Sequence, residues 1–228
     1  MAALIPKGSD SLAAESRQLL QGLSRLDWAA DFYLAGSAAL ALYLDHRPVR
    51  DLDLMSPVRR LRAIERRDLL QDLLTIDADL RVETARDGFL YVRASGGTAL
   101  RFFYYPYPLV QAESLFADMA VASPVDLGLM KLGAVISRGT RRDFVDLYLL
   151  CQEIPLADLL QRSLDKFGHV GDFPLQAFKG LADLSQVEGE PLPKLSRSVH
   201  WEEVEAWLHG EVRALGRRYV GLDQDKEE

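Results

Sequence analysis

Apolar residues recur at helical spacing through Leu12, Leu19, Leu20, Leu23 and Leu26, with Ser9, Asp10 or Ser11 placed to cap the element. The next run, Phe32-Tyr33-Leu34-Ala35, is short and continuously apolar. It meets Gly36-Ser37 and passes straight into small, helix-favouring residues at 38–44, so the pattern predicts strand, tight turn and helix. The period then changes to two. In Asp51-Leu52-Asp53-Leu54 carboxylate alternates with leucine, which on a strand sends both acids to one face and both leucines to the other.

Ser56-Pro57 reads as the cap and first residue of a helix whose apolar positions Val58, Leu61, Leu69, Leu70, Leu73 and Leu74 carry it to about residue 75. Strands are predicted at 80–84, 89–94 and 99–105, the last two joined as a hairpin through Ser95-Gly96-Gly97-Thr98. Pro106 and Pro108 end strand pairing because proline brings no amide donor to a ladder, and beyond them the pattern turns helical. Ser123-Pro124-Val125-Asp126 has the residues of a capping box and opens a helix towards Ser137, closed by Gly139. Further helical patterns cover 143–153, 156–167, 175–184 and 199–215, with no internal repeat, and the acidic tail 223–228 is expected to fray. The expected fold is α+β: a small mixed sheet flanked by helices over residues 1–115, and a mainly helical region over 116–228 that completes the cleft.

Composition narrows the class. Of 228 residues 48% are hydrophobic and 27% charged, a balance that excludes collagen-like, low-complexity and wholly disordered chains. A lone cysteine, Cys151, can form neither an internal disulfide nor a cysteine-based zinc site, which fits a reducing compartment. The start of the chain lacks the apolar run and cleavage site of a signal peptide, and no stretch of eighteen apolar residues occurs, so a cytoplasmic location without membrane contact is expected. The histidines at 46, 169, 200 and 209 lack metal-ligand spacing, and Trp201 and Trp207 read as packing or partner contacts.

The chemistry lies in the order Gly36-Ser37, thirteen intervening residues, then Asp51-Leu52-Asp53. A glycine-serine turn at an electropositive helix start offers close backbone amides to phosphate oxygens. Two carboxylates on one strand face suit Mg²⁺ (or Mn²⁺), a hard cation that takes oxygen ligands and bridges substrate phosphates. Either motif alone is weak, and the competing reading is a capped helix followed by a solvated acidic strand; the order, spacing and strand-turn-helix context carry the weight.

This arrangement resembles the polymerase-β-type nucleotidyltransferase superfamily. With Lys131 in Asp126-Leu127-Gly128-Leu129-Met130-Lys131-Leu132 and the later Arg138-Gly139-Thr140-Arg141-Arg142-Asp143-Phe144-Val145-Asp146, it looks like the AbiEii/AbiGii-type nucleotidyltransferase family, the toxin component of type IV toxin–antitoxin systems. The resemblance implies that Gly36 and Ser37, with Arg50, bind a nucleoside triphosphate, and that Asp51 and Asp53 hold the metal. Lys131 would meet a triphosphate oxygen, and Asp146 would stand beside it. Asp143, at the helix entrance, is assigned the cap. Taken alone, Lys131 and Asp146 also read as a buried structural ion pair. The sequence departs from the superfamily at one point: many members bring a third carboxylate from a later strand, whereas Leu100-Arg101-Phe102-Phe103-Tyr104-Tyr105 has none. Either two acids suffice, or Asp146, Asp126 or Glu83 substitutes, or the chain binds nucleotide without turning it over.

Charge bears on the acceptor. The whole chain is −7, yet residues 45–67 hold seven arginines against Asp45, Asp51, Asp53 and Glu65, a local +3. Arg59, Arg60, Arg66 and, further on, Arg142 are therefore candidate RNA contacts, with an ordinary solvated arginine face as the rival reading. The implied reaction moves a nucleoside monophosphate to an acceptor hydroxyl, a tRNA 3′ end or another RNA, under restraint by a cognate antitoxin. A protein hydroxyl is the alternative acceptor.

Overall fold

The computed structural model describes residue 6 and residues 10–219, without the side chains of residues 218 and 219. The expected fraying at 223–228 lies outside the described residues. The chain divides into two compact units, Met1–Leu127 and Gly128–Glu228.

The first unit is built on a seven-stranded mixed sheet. Its strands are β1 (Tyr33–Ala35), β2 (Leu52–Ser56), β3 (Arg81–Arg86), β4 (Phe89–Arg93), β5 (Ala99–Tyr104), β6 (Ser114–Phe116) and β7 (Met119–Val121), in the order β3-β4-β5-β2-β1-β7-β6. The central strands follow period-two burial. Leu52 and Leu54 of β2, Leu90 and Val92 of β4, and Leu100 and Phe102 of β5 are fully buried. Asp53, Met55, Tyr91, Arg93, Arg101 and Phe103 alternate with them on the other face and stay half-exposed. Trp28, Phe32 and Phe102 close the apolar side with three edge-to-face contacts at 5.5–5.8 Å. Helix α2 (Gly36–Leu44) is buried from Ala38 to Tyr43, which explains a sequence apolar on every side.

Two expectations need correcting. The helix after β2 begins not at Ser56-Pro57 but at Ala63 (α3, Ala63–Ile76). Ser56 stays in the strand, and its Oγ accepts the amides of Val58 and Arg59 at 3.2 and 2.8 Å, giving those groups a local alternative to helix. Leu61, buried with φ +53°, reverses the chain before α3, whose first turn is closed by Glu65 accepting the Arg62 amide at 2.9 Å. The segment after Pro108 is not simply helical either. It forms the β6–β7 hairpin, and β7 adds in parallel to β1, so the sheet continues past residue 115.

The second unit is helical: the body of α4 (Pro124–Ser137), then α5 (Arg141–Cys151), α6 (Leu156–Phe167), α7 (Phe173–Ala182) and α8 (Trp201–Tyr219). Gly128 lets α4 approach closely, since a Cβ there would fall 2.8 Å from Leu159 and 3.0 Å from Leu150. Phe144 and Tyr148 of α5 meet Trp201 and Trp207 of α8 edge-on at 6.3 and 5.4 Å, so both tryptophans pack within this unit. Arg141 lies over the Trp201 ring at 4.4 Å. Among the described residues no helix is long and apolar enough to cross a membrane.

Candidate active site

Antiparallel pairing of β1 with β2 sets Ala35 opposite Asp53, so the turn that follows β1 starts directly over the second acid. Gly36 there has φ +61°, and a Cβ on it would collide with Asp53 Oδ2 and approach Asp53 Cβ and Cγ to 3.2 Å. Only glycine satisfies both conditions. Ser37 follows in the first turn of α2, and the opening amides of that helix are donors without intrahelical partners. The strand alternation turns Asp51 and Asp53 to the half-exposed face, with side-chain exposures of 43% and 21%. Arg50 is exposed; its guanidinium donates to the Gly96 carbonyl at 2.8 Å and lies 3.8 Å from Glu15.

The acids are not left facing each other. Strand β5 pairs in parallel with β2 and sets Arg101 in register with Asp53. Its Nε donates to Asp53 Oδ1 at 2.6 Å, and a terminal nitrogen lies 3.4 Å from Asp51 Oδ2. Asp51 Oδ1 accepts the Ala99 amide at 3.2 Å. The residue on β5 beside Asp53 is thus a cation and not a third carboxylate. In the sequence, apolar Leu100 and Phe102 on either side turn residue 101 to the opposite face of β5, and the register with β2 makes that the face of Asp53. Of the proposed substitutes, Glu83 lies three strands away and pairs with Arg93 at 2.8 Å. Asp126 is buried and accepts from the amides of Val110 and Gln111 and from Ser123 Oγ.

A second charged cluster lies within the helical unit. Lys131 of α4, only 7% exposed, puts Nζ 3.0 Å from Asp143 Oδ1 and 2.6 Å from Asp146 Oδ2. Arg138 donates to both oxygens of Asp143 at 2.9 and 3.0 Å, and Thr140 Oγ1 donates to Oδ2 at 2.6 Å. The α5 cap expected at Asp143 is Thr140 instead; Asp143 is a full member of the cluster. Burial opposes ionisation of Asp143, but the Arg138 hydrogen bonds, the Lys131 charge and the Thr140 hydroxyl outweigh it and hold its carboxyl well below the usual range.

The candidate RNA-contacting arginines are partly committed. Arg59 pairs with Asp31 at 2.6 Å, Arg66 with Asp87 at 2.7 Å and Arg67 with Asp68 at 3.1 Å. Arg60, Arg62 and, in the other unit, Arg142 are exposed.

Asp51 and Asp53 fit a hard divalent cation in part: two carboxylates reach one open face, and among the described residues no group of three or more His, Cys, Asp or Glu is placed to hold a metal. Such a pair suits a cation that arrives with phosphate oxygens completing its shell.

A strand-turn-helix over two acids on a mixed sheet is the arrangement on which the resemblance to nucleotidyltransferases rested, and comparison with known proteins shows the class. A crystal structure of a candidate nucleotidyltransferase from H. pylori superimposes with TM-score 0.54 at 17% identity, over 92% of this chain and 99% of that one, a likeness of fold. An uncharacterized protein of Aquifex aeolicus (strain VF5) is 28% identical over 210 residues, 89% of this chain and 96% of its own. The sequence model of the nucleotidyl transferase AbiEii toxin, type IV toxin–antitoxin system, matches residues 18–203. The chain belongs to that family and is a nucleotidyltransferase; the family implies a nucleoside triphosphate substrate and a cognate antitoxin.

Proposed function

We propose that this protein transfers a nucleoside monophosphate from a nucleoside triphosphate to an RNA hydroxyl, a tRNA 3′ end by the family resemblance, with release of pyrophosphate, in a reaction dependent on Mg²⁺ or Mn²⁺. The observation that carries it is the seating of the Gly36 turn on Asp53, with Asp51 on the same open face. The amides after Gly36 would take phosphate oxygens, and the missing side chain at residue 36 lets the phosphate chain come down onto Asp53. Asp51 and Asp53 would hold the divalent cation, which supplies positive charge to the triphosphate when bound. Exposed Arg50, Arg60 and Arg62 offer phosphate contacts to an acceptor strand. Lys131 already faces two carboxylates, so its role in this reading is to organise α4 and α5; the triphosphate contact implied by the resemblance would require those pairs to open.

The test is incubation of the purified protein with each labelled nucleoside triphosphate, Mg²⁺ and total RNA, beside Asp53→Asn. Label is expected in RNA with the wild type alone. Label that enters protein and survives ribonuclease would reassign the acceptor, and label in neither would overturn the proposal.

A further inference from the structure

We propose that Arg101 is the site's built-in second cation, so that the acidic pair binds one divalent ion where a three-carboxylate site would bind two. The inference rests on the reading of Asp51 and Asp53 as the cation-binding pair. Its basis is the way the carboxylate oxygens are divided. Asp53 Oδ2 lies under the Gly36 turn, on the side where phosphate would approach. Asp53 Oδ1 is turned the other way and is held by Arg101 Nε at 2.6 Å. Asp51 is held on both oxygens: Oδ1 accepts the Ala99 amide at 3.2 Å, and Oδ2 faces the Arg101 fork at 3.4 Å.

Charge and rigidity support the assignment. Replacing a carboxylate by a guanidinium at the register position of residue 101 changes the local charge by two units, from three negative groups to two negative and one positive. Three acids need two divalent ions to become net positive; two acids and an arginine need one. Arg101 is also fixed, because β5 lies between β4 and β2 and pairs with both. An arginine fork matches the geometry of carboxylates, and its strand position requires no rearrangement on nucleotide binding. Arg101 is thus a positioning residue: it orients both acids and fills with fixed charge the space beside Asp53 Oδ1 and Asp51 Oδ2.

The experiment counts Mn²⁺ by electron paramagnetic resonance in the complex of the full-length protein with a non-hydrolysable α,β-methylene triphosphate. Wild type is expected to hold one Mn²⁺ per ternary complex, and Arg101→Asp two; two ions in wild type, or one in Arg101→Asp, would overturn the proposal. Should Arg101→Asp not fold, Arg101→Gln serves. Without nucleotide its Mn²⁺ affinity should rise about ten-fold or more because a competing charge has gone, and an unchanged affinity would overturn the proposal. Asp53→Asn separates the two levels: if it keeps the wild-type ion, the acidic pair is not the metal site and the functional reading fails, whatever Arg101 does.

Discussion

Among the described residues, Arg101 and Lys131 each stand between two carboxylates, Lys131 with Arg138 as a second cation on Asp143, and the two clusters differ chiefly in their solvent. Arg101 with Asp51 and Asp53 stands on a half-exposed sheet face, the three side chains 21–43% exposed. Lys131 with Asp143 and Asp146 is 7% exposed or less. Removing one partner from an ion pair in partial contact with water costs little, because water replaces it. Removing one from a buried pair leaves an uncompensated charge, a penalty larger than the net worth of the pair itself. The open cluster is therefore suited to take up a ligand beside its fixed arginine, and the buried one to hold helices in register. Similar ionic chemistry serves opposite ends, and the distinction is measurable.

The largest effect should fall on the buried side. Lys131→Met, which keeps the side-chain volume and removes the charge, is expected to lower stability by about 3–5 kcal/mol, read as an earlier denaturant midpoint. Adding Asp146→Leu to Lys131→Met should recover part of the loss. A Lys131→Met protein as stable as wild type, yet inactive, would reverse the comparison and place Lys131 in the chemistry.

Asp53→Asn should do the opposite. Activity is expected to fall about a thousand-fold, the equivalent of about 4 kcal/mol at the transition state, while stability changes by no more than about 1 kcal/mol. Parallel labelling and thermal melts check both halves. A large loss of stability without loss of transfer would show that the open cluster is structural too.

Both acidic clusters could be found in the sequence, and Lys131 with Asp146 could be read as a pair; the parts played by Arg101 and Asp143 could not. Asp51 and Asp53 announced themselves because alternation with leucine fixes a face. Lys131 and Asp146 did so because charges inside apolar helical runs require partners. Arg101 stood in plain view within its strand, but its meaning depends on the parallel register between β2 and β5, which brings together residues 48 apart. Asp143 followed two arginines and looked like a cap; the nearby Thr140 took that role and left Asp143 for Lys131 and Arg138. The β6–β7 hairpin is hard to read from the sequence for a local reason. Its strands have three residues each, and its turn takes two left-handed residues, Ala117 (φ +50°) and Asp118 (φ +61°), where Asn-Gly would have been the readable sign. Ser56-Pro57 misled because a serine that caps a helix and one that closes a turn after a strand use the same hydroxyl on the same amides.

Gly36→Ala sharpens the open side of the comparison. The substitution forces an alanine to φ +61° and drives its Cβ into the Asp53 carboxylate, a combined cost of about 1–3 kcal/mol. Gly88→Ala is the control, since Gly88 has φ +79° but a Cβ there meets only Tyr104 at 3.9 Å. Both variants should lose stability, and only Gly36→Ala should lose nucleotide binding, by titration with a fluorescent triphosphate. Equal binding in the two would mean that the fit of the turn onto Asp53 has no part in recognition.

The smallest effect tests whether the buried cluster is electrostatic in the way claimed. Thr140 Oγ1 donates to Asp143 Oδ2 while capping α5, so Thr140→Ala should cost about 1 kcal/mol at neutral pH, and Thr140→Ser should restore most of it. Asp143 has its folded pKa depressed, so the stability it contributes is present above its unfolded value near 3.8 and is lost as pH falls towards the folded value. Removing one donor to the carboxylate raises that folded value and narrows the gap. The unfolded value is common to both proteins and cancels, so the difference between wild type and Thr140→Ala should be full down through 3.8 and shrink only as pH falls to the raised folded value of Thr140→Ala, below 3.8, in urea titrations run at several pH values. A difference that stays constant through the acid range would mean that Thr140 acts only as a helix cap, and that the cluster's hold on Asp143 comes from Arg138 and Lys131 alone.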